Sequence, residues 1–198
     1  MTSFRVCFIG DSLVAGTGDP EYLGWAGRIC KTARTRGHDI TSYNLGIRAN
    51  SSAAVLARWR REVEARDVQG ADCRLVFAFG VNDTKDVNGQ LIFTPEKAIA
   101  QARDILSEAN SYRPTLMIGP PPIGEDWRNV RIRALSENLA TLTHELGVPF
   151  FPAFETLSAS KTWLPAVRAG DGVHPIAAGY DEWAHAIEQW PAWRAWAP

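Results

Sequence analysis

An apolar run, Phe4 to Ile9, is cut off by Gly10-Asp11-Ser12-Leu13, and a glycine-bearing segment continues to Gly18. A short run of β-branched and aromatic residues stopped by glycine reads as a buried strand. A polar residue just past such a strand stands where open α/β sheets place their ligands. Ser12 is therefore a candidate nucleophile. A serine hydroxyl attacks only when a base takes its proton, and that base must be held in the right tautomer by an acceptor. Of the four histidines, His38 follows a turn at Gly37, while His144 and His185 fall in segments of helical spacing. His174 differs: it lies in a loop, three residues after Asp171 and directly before Pro175. At that spacing a carboxylate can reach back to the imidazole within one turn of chain. The following helix start disfavours an imidazolium, and a neighbouring carboxylate favours it. Ser12, His174 and Asp171 thus make a candidate nucleophile, base and orienting acid.

Acyl chemistry also needs donors aimed at the oxygen that becomes negative in the transition state. Glycine lets a ligand approach the backbone N–H closely, and Gly46 follows the run Ile40–Leu45. Asparagine supplies a neutral side-chain donor, and Asn82 stands in Gly80-Val81-Asn82-Asp83 after the run Cys73–Phe79. Each of these segments, taken singly, is also ordinary turn chemistry. Together they fall at one edge of one expected sheet.

The elements that must bring them there alternate. Strands are expected at 4–9, 40–45, 73–79, 115–119 and 148–151, the last at a sheet edge because of Pro149. Helices are expected at 21–36, from Ser51 or Ser52 to about 66, 95–110 behind Thr94-Pro95, 129–146 and 176–189. The stretch after Phe79 to about Phe93, the stretch holding Trp163 and the tail 190–196 read as loop or irregular chain. Strand–helix alternation predicts a parallel sheet covered by helices on both faces. Arg58, Arg60, Arg61, Glu62, Glu64 and Arg66 read as a solvated helix face of mixed-sign pairs.

The whole chain, 1–198, reads as one α/β domain with 45% hydrophobic and 22% charged residues. A net charge of −1 argues against a nucleic-acid surface. Cys7, Cys30 and Cys73 form no metal-ligand pattern, and Cys7 and Cys73 lie in apolar runs as expected for buried thiols. The start of the chain has no signal-peptide order, and no apolar stretch is long enough to span a bilayer. A cytoplasmic location without stable membrane insertion is the expectation; oligomeric state stays open.

The ordered set of Gly10-Asp11-Ser12-Leu13, Asn44-Leu45-Gly46, Gly80-Val81-Asn82-Asp83 and Asp171-Gly172-Val173-His174-Pro175 resembles the SGNH hydrolases, the GDSL-type esterases and lipases. The resemblance covers nearly the whole chain. It implies a three-layer α/β/α sandwich with a five-stranded parallel sheet, flavodoxin-like in outline. It implies Ser12 as nucleophile, His174 as base and Asp171 as its orienting acid, with the oxyanion held by Ser12 N–H, Gly46 N–H and the Asn82 side chain. It also implies serine esterase activity on a small-molecule carboxylic ester (acetyl or short-chain, lipid or carbohydrate) without metal or organic cofactor. The stretch Ile47-Arg48-Ala49-Asn50 departs from the small hydroxyl residues and glycine of many members, and Arg48 is a candidate substrate contact. Pro121, Ile123 and Trp127, on a stiff apolar loop after the fourth strand, are candidates for a pocket wall. An acyltransferase with the same triad is one alternative. A flavodoxin-like phosphate-binding module is another, although the loop 10–18 lacks both P-loop and dinucleotide glycine patterns. The tryptophans at 190, 193 and 196 are expected to pack back onto the domain.

Overall fold

The computed structural model describes residues 3–197, with the Val87 side chain outside the description. Its centre is a five-stranded sheet of β1 (Ser3–Gly10), β2 (Asp39–Gly46), β3 (Cys73–Ala78), β6 (Thr115–Ile118) and β7 (Phe150–Phe151). Their order is β2-β1-β3-β6-β7, and every pairing is parallel. The period-2 alternation of a strand splits the apolar residues between two faces. Val6, Phe8, Val76, Ala78, Leu116 and Ile118 join one buried cluster, while Cys7, Ile9, Leu75, Phe77 and Met117 join the other. Helices α2 (Gly24–Thr35) and α8 (Ala177–Gln189) cover the first face. Helices α3 (Ser52–Glu64), α4 (Pro95–Tyr112) and α5 (Asp126–Glu145) supply Val55, Trp59, Ala102, Ile105, Leu139 and Leu142 to the second. The result is a three-layer α/β/α sandwich.

The parallel register fixes the functional edge. Gly10 pairs with Gly46 on one side and Ala78 on the other, so β1, β2 and β3 end at the same level. The short β7 lies at the sheet edge, where Pro149 led us to expect it. Cys7, Cys30 and Cys73 are buried free thiols. No helix among the described residues is long and apolar enough to cross a membrane.

Three segments differ from the sequence reading. The expected loop after β3 contains a 3₁₀ turn, Asn82–Thr84, and a hairpin of β4 (Asp86–Val87) with β5 (Gln90–Leu91). Its Asn88-Gly89 pair takes positive φ at both positions (52° and 77°), the backbone of a two-residue type I′ turn. The expected loop around Trp163 forms two short helices, α6 (Ala153–Ser158) and α7 (Trp163–Ala169). Trp163 drives this: its ring meets Trp183 edge-on at 5.3 Å and its Nε1–H donates to the Pro122 carbonyl at 2.7 Å. The tail is likewise a short helix, α9 (Pro191–Trp196), whose buried Trp193 lies 6.4 Å from Phe8.

Candidate active site

Ser12 opens α1 (Ser12–Ala15), a single turn directly after β1. Asp11 caps it, its Oδ1 accepting the Leu13 N–H at 2.9 Å, and Gly16 ends it in the left-handed region at φ 76°. The turn can be this tight only because β1 ends in glycine. A Cβ on Gly10 would lie 1.9 Å from the Ala78 carbonyl oxygen. Ser12 keeps 6% of its surface, enough for a reacting atom to reach the hydroxyl but not for bulk water to surround it.

His174 reaches the same point from the other end of the chain. Its Nε2 is 2.6 Å from Ser12 Oγ and its Nδ1 is 2.7 Å from Asp171 Oδ2. Asp171 divides its oxygens: Oδ1 accepts the N–H groups of Val173 at 3.0 Å and His174 at 2.8 Å, which fixes the loop, and Oδ2 faces the ring. Partial burial pushes the Asp171 carboxyl up, but the His174 N–H, the His174 ring and the Val173 N–H outweigh it and hold the group at about 2. It is therefore an anion whenever the ring needs an acceptor. Gly18 closes over His174, since a Cβ there would lie 3.3 Å from the histidine Cβ.

Asn82 stands opposite. Its Nδ2 donates to the Asn50 carbonyl at 2.9 Å and to Asp11 Oδ2 at 3.2 Å. Burial pushes the Asp11 carboxyl up to about 7; the Leu13 N–H opposes this and the Asp83 charge adds to it. Asp83 does not face the site: it accepts the Ser52 N–H at 3.0 Å and the Ser52 hydroxyl at 2.5 Å, tying β3's end to the start of α3. Arg128 holds the same loop from α5, donating to Thr84 Oγ1 at 3.0 Å and to the Val81 carbonyl at 2.6 Å.

Gly46 is placed differently from the sequence reading. Its N–H donates to Asn44 Oδ1 at 3.0 Å and is not free. The glycine is needed for another reason, because a Cβ would lie 2.3 Å from the Ala15 nitrogen and 2.7 Å from the Asp11 oxygen. The backbone peculiarity lies three residues on. Asn50 N–H donates to the Ile47 carbonyl at 3.2 Å, closing a turn in which Ala49 holds φ at 63°. That position of a type II turn normally takes glycine. Positive φ there turns over the Arg48–Ala49 peptide. Among the described residues, the N–H groups of Ala49 and Ser12 donate to nothing.

Other expectations divide. Ile123 is fully buried in the core against α5 and α8 and cannot touch a ligand, and Pro121 is buried beside it. A void of only about 10 Å³ lies among Asp11, Leu13, Val81, Pro120, Pro121 and Trp183. Trp127 is exposed and stacks on Arg131, with the guanidinium 5.0 Å from its ring centre. Arg48 is exposed and lines an open cleft of about 440 Å³ with Thr17, Gly18, Pro20 and Tyr22.

The mixed-sign face of α3 is only partly solvated. Arg60 pairs with Glu64 there at 2.7 Å, but the Arg58 side chain is 15% exposed and turns inward. Arg58 lies three residues after buried Val55 and directly before buried Trp59, and that helical position was the signal in the sequence.

Ser12, His174 and Asp171 thus stand in hydrogen-bonded series at the carboxyl edge of a parallel sheet, an arrangement able to activate a hydroxyl for acyl chemistry. The sequence model of the GDSL-like Lipase/Acylhydrolase family matches residues 8–182, and the chain belongs to that family. No curated protein matched the sequence. Among solved structures it is similar to the lipase/acylhydrolase from Enterococcus faecalis, with a TM-score of 0.78, 19% identity and 96% of each chain covered. It is similar to Axe2, an acetylxylan esterase from Geobacillus stearothermophilus, with a TM-score of 0.76, 21% identity and 94% of this chain and 93% of that one covered. It is also similar to TesA, with a TM-score of 0.76, 21% identity and coverage of 96% and 98%. These likenesses show the shared fold.

Proposed function

We propose that this hydrolase cleaves small carboxylic esters through an acyl-enzyme on Ser12, with His174 as general base and acid and Asp171 as the acid that orients it. The observation that carries this reading is the unbroken series from Asp171 Oδ2 through both ring nitrogens of His174 to Ser12 Oγ, at 2.7 and 2.6 Å. His174 Nε2 takes the hydroxyl proton as Oγ bonds to the ester carbon. The carbonyl π electrons move to oxygen. The ring then gives the proton to the departing alcohol as the C–O bond breaks. Water repeats the sequence on the acyl-enzyme and releases the acid. None of these steps calls for a metal or organic cofactor.

For the oxyanion we assign Ser12 N–H, the Asn82 amide and Ala49 N–H, the last in place of Gly46. Ser12 and Ala49 have uncommitted N–H groups, whereas Gly46 gives its own to Asn44. The longer bond of Asn82, 3.2 Å to Asp11, is the one that an oxyanion replaces.

The void among Leu13, Val81, Pro121 and Trp183 is only about 10 Å³ and leaves no room for a long acyl chain beneath the site, so a short acyl group held at its open face fits best. The alcohol part then extends to the cleft with Arg48 and Tyr22, which suits a polar alcohol. The acetylxylan esterase likeness agrees with that assignment. Three unpaired thiols support a reducing, cytoplasmic setting.

Hydrolysis of p-nitrophenyl esters from acetate to long chains, by wild type and Ser12→Ala, tests the reading. We expect the highest kcat/KM at acetate or butyrate and loss of turnover in the variant. Equal rates in both proteins would remove Ser12 as nucleophile. A maximum at long chains would move the acyl group to the apolar cleft of about 200 Å³ lined by Leu91, Phe93, Ala98, Val130 and Leu135.

A further inference from the structure

Arg58 sits on α3, outside the reacting groups, yet it touches both backbone segments that carry the candidate donors. Its Nη2 donates to the Gly10 carbonyl at 2.8 Å, and Gly10 directly precedes Asp11-Ser12. Its Nε donates to Asn50 Oδ1 at 2.7 Å, and Asn50 directly follows Ala49. The Asn50 carbonyl in turn holds Asn82 Nδ2 at 2.9 Å, and the same Nδ2 lies 3.2 Å from Asp11. The hydrogen bonds close a circuit: Gly10, Arg58, Asn50, Asn82, Asp11 and back to Gly10 through the chain. Glu62, one turn further along α3, accepts from Nη1 at 2.7 Å and completes the guanidinium's surroundings.

We propose that Arg58 is a positioning residue for the oxyanion side of the site. It sets the spacing between the Ser12 and Ala49 N–H groups and, through Asn50, the direction of the Asn82 amide. This rests on the serine hydrolase reading above.

The physical reason is preorganisation. Donors stabilise a developing oxyanion only if they already point at its final position. A displacement of about 1 Å, even from a distant change, can cost on the order of 10²-fold in rate. Ala49 holds a left-handed φ against the preference of an L-residue, so its turn needs an external anchor. The planar fork of arginine can meet Gly10 and Asn50 at once; a lysine ammonium is a point donor on a flexible stem and cannot reproduce both contacts in one plane.

The test is steady-state kinetics on p-nitrophenyl acetate for wild type, Arg58→Met, Arg58→Lys, Asn50→Ala, the Arg58→Met/Asn50→Ala double variant and Arg60→Met, with thermal midpoints measured alongside. Arg60 lies on the exposed side of the same helix, and its variant is expected to match wild type. We expect kcat to fall about ten- to hundredfold in Arg58→Met with KM little changed. Lysine restores little of it. The double variant loses far less than the product of the two single losses, because both break one anchor. Should Arg58→Met not fold, Arg58→Lys and Asn50→Ala carry the test, since Asn50→Ala keeps the carbonyl that holds Asn82. Full kcat in these variants, or losses that multiply in the double variant, would overturn the proposal while wild-type activity through Ser12 stands. An inactive wild type, or an active Ser12→Ala, would overturn the hydrolase reading and this inference with it.

Discussion

Asn44 and Gly46, two residues apart at the end of β2, are joined by a hydrogen bond from the Gly46 N–H to the Asn44 side-chain oxygen at 3.0 Å. The same asparagine gives its Nδ2–H to the Val14 carbonyl at 2.7 Å, so it fastens β2 to α1. The pair therefore belongs to the frame of the site. With the donor role proposed for the strained turn that follows, the two positions should respond oppositely to substitution. Ala49→Gly relieves the left-handed φ and is expected to stabilise by about 0.5–1 kcal/mol while keeping kcat within a fewfold. Gly46→Ala forces a Cβ into the Ala15 nitrogen and should destabilise severely. Denaturant unfolding curves beside ester kinetics check both.

Asp171→Asn separates shape from chemistry. The amide oxygen can keep accepting the Val173 and His174 N–H groups, so the loop and the thermal midpoint should change little. The Nδ2 amide then faces His174 Nδ1 as a donor and selects the tautomer with a proton on Nε2, which cannot receive one from Ser12. We expect kcat to fall on the order of 10²–10⁴-fold. Labelling by a fluorophosphonate, which needs the same activated serine, should slow in parallel.

The two aspartates beside the nucleophile give opposite pH signs. Asp171, held at about 2, contributes stability that is present above its unfolded value near 4 and lost as pH falls toward 2. Asp11, pushed up to about 7, binds its proton more tightly folded than unfolded, so it lowers stability as pH rises from about 4 to 7. While only the unfolded chain has lost that proton, the penalty grows by about 1.4 kcal/mol per pH unit. Asp11→Asn should flatten this slope in urea unfolding measured from pH 5 to 8. An unchanged slope would show that Asp11 titrates normally.

Ile123 and Trp127 occupy one stretch but should behave as different kinds of residue. Ile123→Ala opens a cavity in the core and is expected to cost about 2–5 kcal/mol. Trp127→Ala removes an exposed ring stacked on Arg131 and should leave stability within about 1 kcal/mol. Chemical denaturation of the two variants decides it.

The strands and the meeting of Ser12, His174 and Asp171 at one sheet edge were legible because each rests on a local signal. An apolar run ends in glycine, and Asp-x-x-His closes its own turn. Gly46 was open to two readings because a glycine at a strand end has two physical uses, a free N–H and a close backbone approach, and sequence spacing does not separate them. Ala49 was hidden because nothing in an alanine announces positive φ. Arg58 was hidden among four other charged residues of α3, and only its register with Val55 and Trp59 pointed inward. Trp163 was legible as a large apolar residue, but the two short helices it organises depend on Trp183 and Pro122, both distant in sequence.

Ser12 and His174, the proposed nucleophile and base, are separated by 162 residues. A growing chain therefore presents Ser12 to the cell long before it can present His174, and during that interval the hydroxyl is chemically an ordinary alcohol. On the proposed reading, reactivity is conferred by the late arrival of the histidine loop, and it is conferred all at once. On that reading a nascent chain lacking the loop carries the serine without the base that would activate it.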